Sequence, residues 1–557
     1  MLPLDIEKIT HLFSGQIIVS FILIGLINAV LMMSISYRFL QAMQQCGYKG
    51  ADYFKWLARK DNVYFTRLFM LSLLSTLGFI LINMALSFID NNLVDYAGFI
   101  VYFVFLAIFY MGELKKKDKV PLVLTKRMIR LSITYYLSIV LFSVVLVLLV
   151  NFIAIPFRTN LLANFRYAIL CFCPIAVPYL LWVAYYINEP FEKLNIKKYV
   201  EKCKEKLSSY DNLIKIGITG SCGKTSVKEI LKTILSEKYK VVATPESYNT
   251  PLGITKTVKR LDGTEDIFIA EMGARRVGDI KELTNIVKPN IAVVTGVVCQ
   301  HLETFNALDN IKKTKYEIIE NMEEGTAFFS ADNEHTREMH NKCKLKSKTA
   351  GIDVSKKPYV YATNIKTNEN GTTFTLFIGK KSIETSTLLL GKHNVSNICL
   401  AVAVADSLGL TIEEIARAIP RIRPIKHRLE LIKSQNGVSI LDDSYNANPE
   451  GVRSALEVLK NFSGTKFVVT PGIVELGFLE SQKNYEFGLE ISKVANIVIL
   501  VGRARALRIR EGLLSSGFDS KNIIMVSTLE DAKQELSKIV KSGDAVLFEN
   551  DLPDKYL

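Results

Sequence analysis

The sequence predicts an α-helical transmembrane domain of five spans followed by two α/β domains. The first of these is a parallel-sheet core of the phosphate-loop type and the second a Rossmann-like C-terminal domain. Three observations predict this. Long apolar runs fill the first third of the chain, whereas charged and polar residues dominate the rest. From Leu213 onward, short apolar runs alternate with segments of helical period, the pattern of strands and helices in a mostly parallel sheet covered on both faces. A glycine-rich turn, Gly220-Ser221-Cys222-Gly223, joins one such run to a helical segment. At 557 residues the chain exceeds a single hydrophobic core, so several units are expected.

The five apolar segments lie at about 15–36, 66–89, 93–112, 131–155 and 166–187, each near the roughly 20 residues a spanning helix needs. The first holds no charge from Ser14 through Met33 and lacks a small-residue cleavage site, so it reads as a span rather than a signal peptide. Lys and Arg alternate between the two sides. The segment 37–67 holds Arg38, Lys49, Lys55, Arg59, Lys60 and Arg67, and the segment 113–130 holds Lys115, Lys116, Lys117, Lys119, Lys126, Arg127 and Arg130. Residues 193–206 hold six lysines. The opposite side has Lys8, Arg158 and Arg166. This bias places the N-terminus outside and everything after residue 188 in the cytoplasm, as in a multi-pass bacterial plasma-membrane protein. The spans hold no chain of Asp, Glu or His to carry protons, which argues against a secondary transporter. Tyr48–Leu57, with aromatics beside basic residues, suits the membrane interface.

In the remainder, buried strands are expected at 213–220, 240–244, 266–273 and 290–298, with a helix from Lys224 to about Ser236. A β-rich stretch at 358–390 has Asn370-Gly371 as its hairpin turn, and a helix follows around 394–408. Near Arg423-Pro424 the chain passes into a second unit, with strands at 438–444, 466–472, 495–502, 522–527 and 545–550. The division is then 1–190 membrane domain, 191–212 linker, 213–422 central domain and 423–557 C-terminal domain.

The net charge is +14, but the excess lies largely in juxtamembrane loops, where anionic lipid headgroups account for it better than nucleic acid does. The eight cysteines form no CxxC pair and no metal-type cluster, so reduced thiols are expected rather than a disulfide framework.

The strongest chemical signal is the segment Gly220 to Thr225 between strand and helix. Glycines let backbone N–H groups turn toward phosphate oxygens at the positive end of the helix. Lys224 would reach the outer phosphates and the Thr225 hydroxyl would sit on Mg²⁺. The position five before Gly223 is Ile218, which departs from the general phosphate-loop pattern. Glu271 ends a strand in IAEMGA, and His301 follows another in VVCQHLETF. Ligands bind beyond the carboxyl ends of strands in such sheets, so both point to the loop's edge, Glu271 as a magnesium ligand and His301 as a second-metal ligand. Lys315, in KKTKYEII, reads on its own as a solvated helix lysine.

Taken together, TGSCGKTSVKEIL, IAEMGARRVGDI, QHLETF, TKYEII, GKHNVSN and LDDSYNANP resemble the Mur ligase family, within it the branch that adds D-Ala-D-Ala to the peptidoglycan precursor. The resemblance covers about 213–480, with the remainder fitting the family's C-terminal domain, and the family's shorter TGxxGK[ST] loop accounts for Ile218. It implies an ATP- and Mg²⁺-dependent carboxylate–amine ligase working through an acyl phosphate. It further implies nucleotide contacts from Gly220, Ser221, Cys222, Gly223, Lys224, Thr225 and Ser226. Metal ligation would fall to Thr225, Glu271, His301 and Lys315, with Lys315 carbamylated by CO₂ or bicarbonate and catalytic roles for Lys224, Lys315 and His301. Asn394 matches the adenine contact, Arg428 and Asp443 match nucleotide contacts from the C-terminal domain, and Asn249 and Thr250 match the acceptor loop.

The family's UDP-precursor enzymes carry an N-terminal domain that the roughly 25 residues between the last span and the first catalytic strand are too few to form. A membrane-held, carboxylate-bearing acceptor such as a lipid-linked glycan is therefore expected, with an amino acid or dipeptide as the amine. The alternatives are a soluble nucleotide precursor, a folate or polyglutamate substrate, and a membrane scaffold that binds ATP without turnover. The terminal FENDLPDKYL (548–557) offers no amino-acid-specificity motif.

Overall fold

The computed structural model describes residues 15–58, 63–86, 93–114, 121–154, 168–445 and 447–550. Lys8, Arg59, Lys60, Lys115, Lys116, Lys117, Lys119, Arg158 and Arg166 from the loop-charge pattern lie outside the described residues, as do Asn446 and residues 551–557. The chain divides into two compact units, one running to Asn195 and one from Ile196 onward.

The first unit is helical. Its helices are Gly15–Ile35, Val63–Leu86, Leu93–Leu114, Lys126–Ala154 and Cys173–Ser208, with the shorter Tyr37–Gln45 and Gly50–Leu57 between the first two. Among the described residues, four stretches are long and apolar enough to cross a membrane: Ile18–Ile35, Tyr64–Leu86, Lys126–Val150 and Ala168–Ser208. The expected count of five is therefore corrected to four. The third expected segment forms helix Leu93–Leu114, in which the apolar stretch among the described residues is Ala97–Gly112, shorter than the other four. Val30, Leu81, Ile100 and Leu141 face outward, as a lipid environment allows, while Met32, Phe79, Tyr102 and Tyr135 are buried. Some polar side chains inside pair with one another. Asn28 Nδ2 donates to Ser143 Oγ at 2.9 Å, and the Ser36 and Tyr135 hydroxyls meet at 2.7 Å. The segment expected at an interface forms helix Gly50–Leu57, with Tyr53 buried and donating to the Pro178 carbonyl at 3.1 Å.

The second unit holds two sheets. The first contains β1 (Ile214–Thr219), β2 (Val241–Ala243), β3 (Ile267–Glu271), β4 (Ile291–Val294), β5 (Thr326–Ser330), β6 (Lys346–Gly351), β7 (Val360–Asn368), β8 (Gly371–Ile378) and β9 (Lys381–Thr387). Their order is β2-β3-β1-β4-β5-β6-β7-β8-β9, parallel as far as β7 and antiparallel from β7 to β9. Alternate residues of each strand feed opposite cores. Ile216, Ile218, Ile269 and Val293 pack with Val227, Ile230 and Ile234 of helix Lys224–Leu235. Phe268, Ala270, Ala292 and Val294 pack with Ile280, Leu283, Ile311 and Ile318 on the other face. Val200, Cys203 and Leu207 join that second face, so residues 191–212 are helical as far as Ser208.

The second sheet contains β10 (Glu430–Lys433), β11 (Ser439–Asp443), β12 (Lys466–Thr470), β13 (Ile497–Val501), β14 (Ile523–Val526) and β15 (Ala545–Glu549). Its order is β10-β11-β15-β12-β13-β14, parallel except for the β10–β11 pair.

Candidate active site

The first sheet reverses its direction of winding at β1, which lies between β3 and β4. The crevice beyond the carboxyl ends of β1, β3 and β4 is where such a sheet binds ligands. The loop after β1 lies there. Gly223 has φ +76°, a left-handed conformation that costs glycine little, and a Cβ on it would stand 2.8 Å from Asn397 Oδ1. A Cβ on Gly220 would stand 2.1 Å from Thr295 Oγ1. The loop is thus packed tightly against β4 and against helix Lys392–Ser407.

Its polar groups fit a phosphate chain. The Ser221 hydroxyl is buried without a hydrogen-bond partner among the described residues. Lys224 Nζ donates to the Gly220 and Ser221 carbonyls at 2.8 and 3.1 Å, folding back over the loop. Burial pushes its amine below the usual lysine range, against the pull of Glu271. Cys222 is half-buried, and the desolvation of its thiol pushes it up to about 11, so it stays protonated. Ser226 is buried in the first turn of the helix.

Thr225 Oγ1 donates to Glu271 Oε2 at 3.0 Å, joining the helix start to the end of β3. Asn249 Nδ2 donates to the other oxygen, Glu271 Oε1, at 3.0 Å. The neighbouring Thr250 instead caps helix Pro251–Val258, accepting from the Gly253 N–H. Among the described residues no group of three or more His, Cys, Asp or Glu side chains is arranged to hold a metal ion. A Thr225–Glu271 pair still fits magnesium, which commonly takes one or two protein ligands and completes its shell with water and phosphate.

The structure brings Thr225, Glu271 and Asn249 together, while His301 pairs with Glu475, which also lies 4.0 Å from Arg275. His301, in a left-handed conformation with φ +54°, turns Nδ1 to Glu475 of the loop after β12. Burial pushes its imidazole below the usual value despite Glu475, leaving Nε2 of a neutral ring for a ligand. Lys315 is buried on helix Leu308–Glu320 with its ammonium 6.0 Å from the Phe305 ring centroid. Burial, then the charge of Lys224, pushes it down to about 7. It is not the solvated helix lysine that its sequence context alone suggests.

From the second sheet, Arg428 Nη2 approaches Thr225 Oγ1 at 3.4 Å, and its guanidinium lies 4.4 Å from the Tyr445 ring centroid. Tyr445 also donates to Ser247 Oγ at 2.8 Å. Asp443 ends β11, accepts from the Leu429 N–H at 3.1 Å and lies in register with Glu549 of β15. Asn394 is buried at the start of helix Lys392–Ser407, and Nδ2 donates to the Leu390 carbonyl at 2.9 Å.

Sequence reasoning missed Lys228, Glu475, Tyr445 and Glu549. Lys228 had a usable signal, since it follows Thr225 by three on one helix face. Glu475 and Glu549 meet their partners only through tertiary pairing.

A phosphate loop approached by an arginine from a second α/β domain fits a nucleotide-dependent enzyme. Family models agree: residues 218–405 match the Mur ligase middle domain and 427–549 the Mur ligase, glutamate ligase domain. The UDP-N-acetylmuramoyl-tripeptide–D-alanyl-D-alanine ligase of Bacillus subtilis (strain 168) is 30% identical over 338 residues, covering 60% of this chain and 72% of its own. The Escherichia coli (strain K12) ligase of the same name is also 30% identical over 338 residues, covering 59% and 73%. Among solved structures, MurF from Acinetobacter baumannii superposes with TM-score 0.59 at 26% identity, covering 64% of this chain and 77% of its own. MurF ligase from Thermotoga maritima in complex with ADP gives 0.57 at 27%, covering 64% and 80%. The chain belongs to the Mur ligase family and is an ATP-dependent ligase.

Proposed function

We propose that this enzyme joins the carboxylate of a cell-envelope precursor to the amine of an amino acid or dipeptide at the cytoplasmic face of the plasma membrane. The proposed division of labour gives residues 1–190 to the membrane, 213–422 to ATP and 423–557 to closing the site, with 191–212 between them. The carrying observation is Arg428, which reaches Thr225 of the phosphate loop from the second domain at 3.4 Å. A site shared in this way suits a reaction in which two domains close around their substrates.

ATP would supply a γ-phosphoryl group that turns a poor acyl donor into an acyl phosphate open to attack by the amine. Gly220 to Ser226 would hold the phosphates through backbone N–H groups, the Ser221 hydroxyl and Lys224. Thr225 and Glu271 would hold magnesium. His301, with its ring oriented by Glu475, and a carbamylated Lys315 would hold a second ion. Cations facing the transferred group are the main catalytic means in phosphoryl transfer. Asp443 and Asn394 would contact the nucleoside, and Asn249 and Thr250 the acceptor.

The four apolar helices favour an acceptor held in the membrane, such as a lipid-linked glycan, with membrane lipids around the helices and a peptidoglycan-type product. A second reading, D-Ala-D-Ala addition to a soluble UDP-muramoyl peptide, is favoured by the names of the relatives at 30% identity. Membranes containing the enzyme, given ATP, Mg²⁺ and isotope-labelled amino acids or D-Ala-D-Ala, separate the two. Label in the organic phase supports the lipid-linked acceptor. Label confined to aqueous nucleotide overturns it for the second reading.

A further inference from the structure

Lys228 follows Thr225 by one helical turn and is 0% exposed, an unusual place for an ammonium. Its Nζ lies 3.5 Å from Glu271 Oε2 and 3.2 Å from Glu229 Oε1, and it donates to the Glu246 carbonyl. Glu271 is itself 1% exposed. The oxygen facing Lys228 is the one that accepts from Thr225, while Asn249 holds the other. Both oxygens of the carboxylate are therefore fixed in direction, and its charge is balanced within the protein. A buried carboxylate without such a partner would take up a proton or draw in a cation.

We propose that Lys228 is a built-in counter-cation to Glu271: it holds the carboxylate oriented, and makes its affinity for a divalent cation conditional on a bound triphosphate. The proposal rests on Glu271 being the magnesium ligand. A divalent ion arriving alone meets an ammonium already placed at the same oxygen, and like charges repel strongly in a buried site. A triphosphate on the neighbouring loop supplies the negative charge that offsets both cations. Metal and nucleotide then strengthen each other's binding by the same factor, and Lys228 is a positioning residue rather than a catalytic one.

The test is Mn²⁺ binding to the full chain in detergent, followed by the electron paramagnetic resonance of free Mn²⁺, with and without a non-hydrolysable ATP analogue. Lys228→Met is expected to raise nucleotide-free affinity by roughly tenfold or more and to shrink the enhancement that nucleotide gives. Lys228→Arg, which keeps the charge, is expected to retain the wild-type enhancement. A purely structural lysine would lower the melting temperature and leave the enhancement unchanged, and that result overturns the proposal. Lys228→Gln carries the same comparison should the methionine variant lack a cooperative melting transition. Glu271→Gln separates the two layers. Retained nucleotide-dependent Mn²⁺ binding there removes Glu271 as a ligand and the proposal with it. Lost binding there, with Lys228→Met unchanged, overturns only the role of Lys228.

Discussion

Lys315 is buried with its amine pushed down to about 7. Much of it is therefore the free amine at neutral pH, the form that reacts with CO₂ to give a carbamate. Turnover in CO₂-depleted buffer is expected to fall, to return on adding bicarbonate, and to decline as pH drops through about 7 and the amine protonates. Bicarbonate-independent turnover contradicts the carbamate. Glu549 is the opposite case: fully buried, with neither carboxylate oxygen hydrogen-bonded among the described residues. Burial and then the neighbouring Asp443 push its carboxyl well above the usual range. The folded state thus holds a proton that the unfolded chain releases, so stability is full below the unfolded value near 4.5 and is lost as pH rises toward the folded one. Glu549→Gln is expected to unfold at a higher temperature than the parent at pH 8 and at about the same temperature near pH 4. Lys224, Thr225 and Glu271 were legible because chain neighbours at strand ends carry them. Glu475 and Glu549 were not, since their partners come from other elements, and Lys228 was legible only in its helical spacing from Thr225.

Helix Lys224–Leu235 and its loop form the element on which the proposed chemistry depends. Gly220→Ala places a methyl 2.1 Å from Thr295 Oγ1 and 3.0 Å from the Gly296 carbonyl oxygen, so the loop must move. Nucleotide affinity, measured by titration with a fluorescent ATP analogue, is expected to drop at least about tenfold while the helical circular dichroism stays unchanged. Lys224→Ala keeps the loop backbone and is expected to lower ATP turnover by roughly 10²–10³-fold with normal membrane expression. Strands such as Ile214–Thr219 and Ile267–Glu271 were legible as continuous apolar runs, whereas the equally buried β5, Thr326–Ser330, was not anticipated. β6 was not anticipated, because Lys346–Gly351 lies toward the sheet's antiparallel side and carries Lys, Ser and Thr on a half-buried surface. The third expected span differs in another way: apolar composition predicted a helix correctly, but its apolar stretch among the described residues, Ala97–Gly112, is shorter than the other four.

At the scale of the whole molecule, an ATP-dependent ligase follows a unit with four helices apolar and long enough to span a bilayer. Composition alone marked that division, because apolar runs and α/β alternation occupy different thirds of the chain. Acceptor and amine were not legible, since their recognition depends on side chains gathered from distant segments. The central claim is amide-bond formation on a membrane-held acceptor. Phosphate release by the detergent-purified enzyme with ATP and Mg²⁺ tests it most directly, with lipid extract and a mixture of amino acids and dipeptides each added or withheld. The account predicts release that requires both a component of the lipid extract and one amine; release that proceeds fully without the lipid fraction, or none under any mixture, contradicts it.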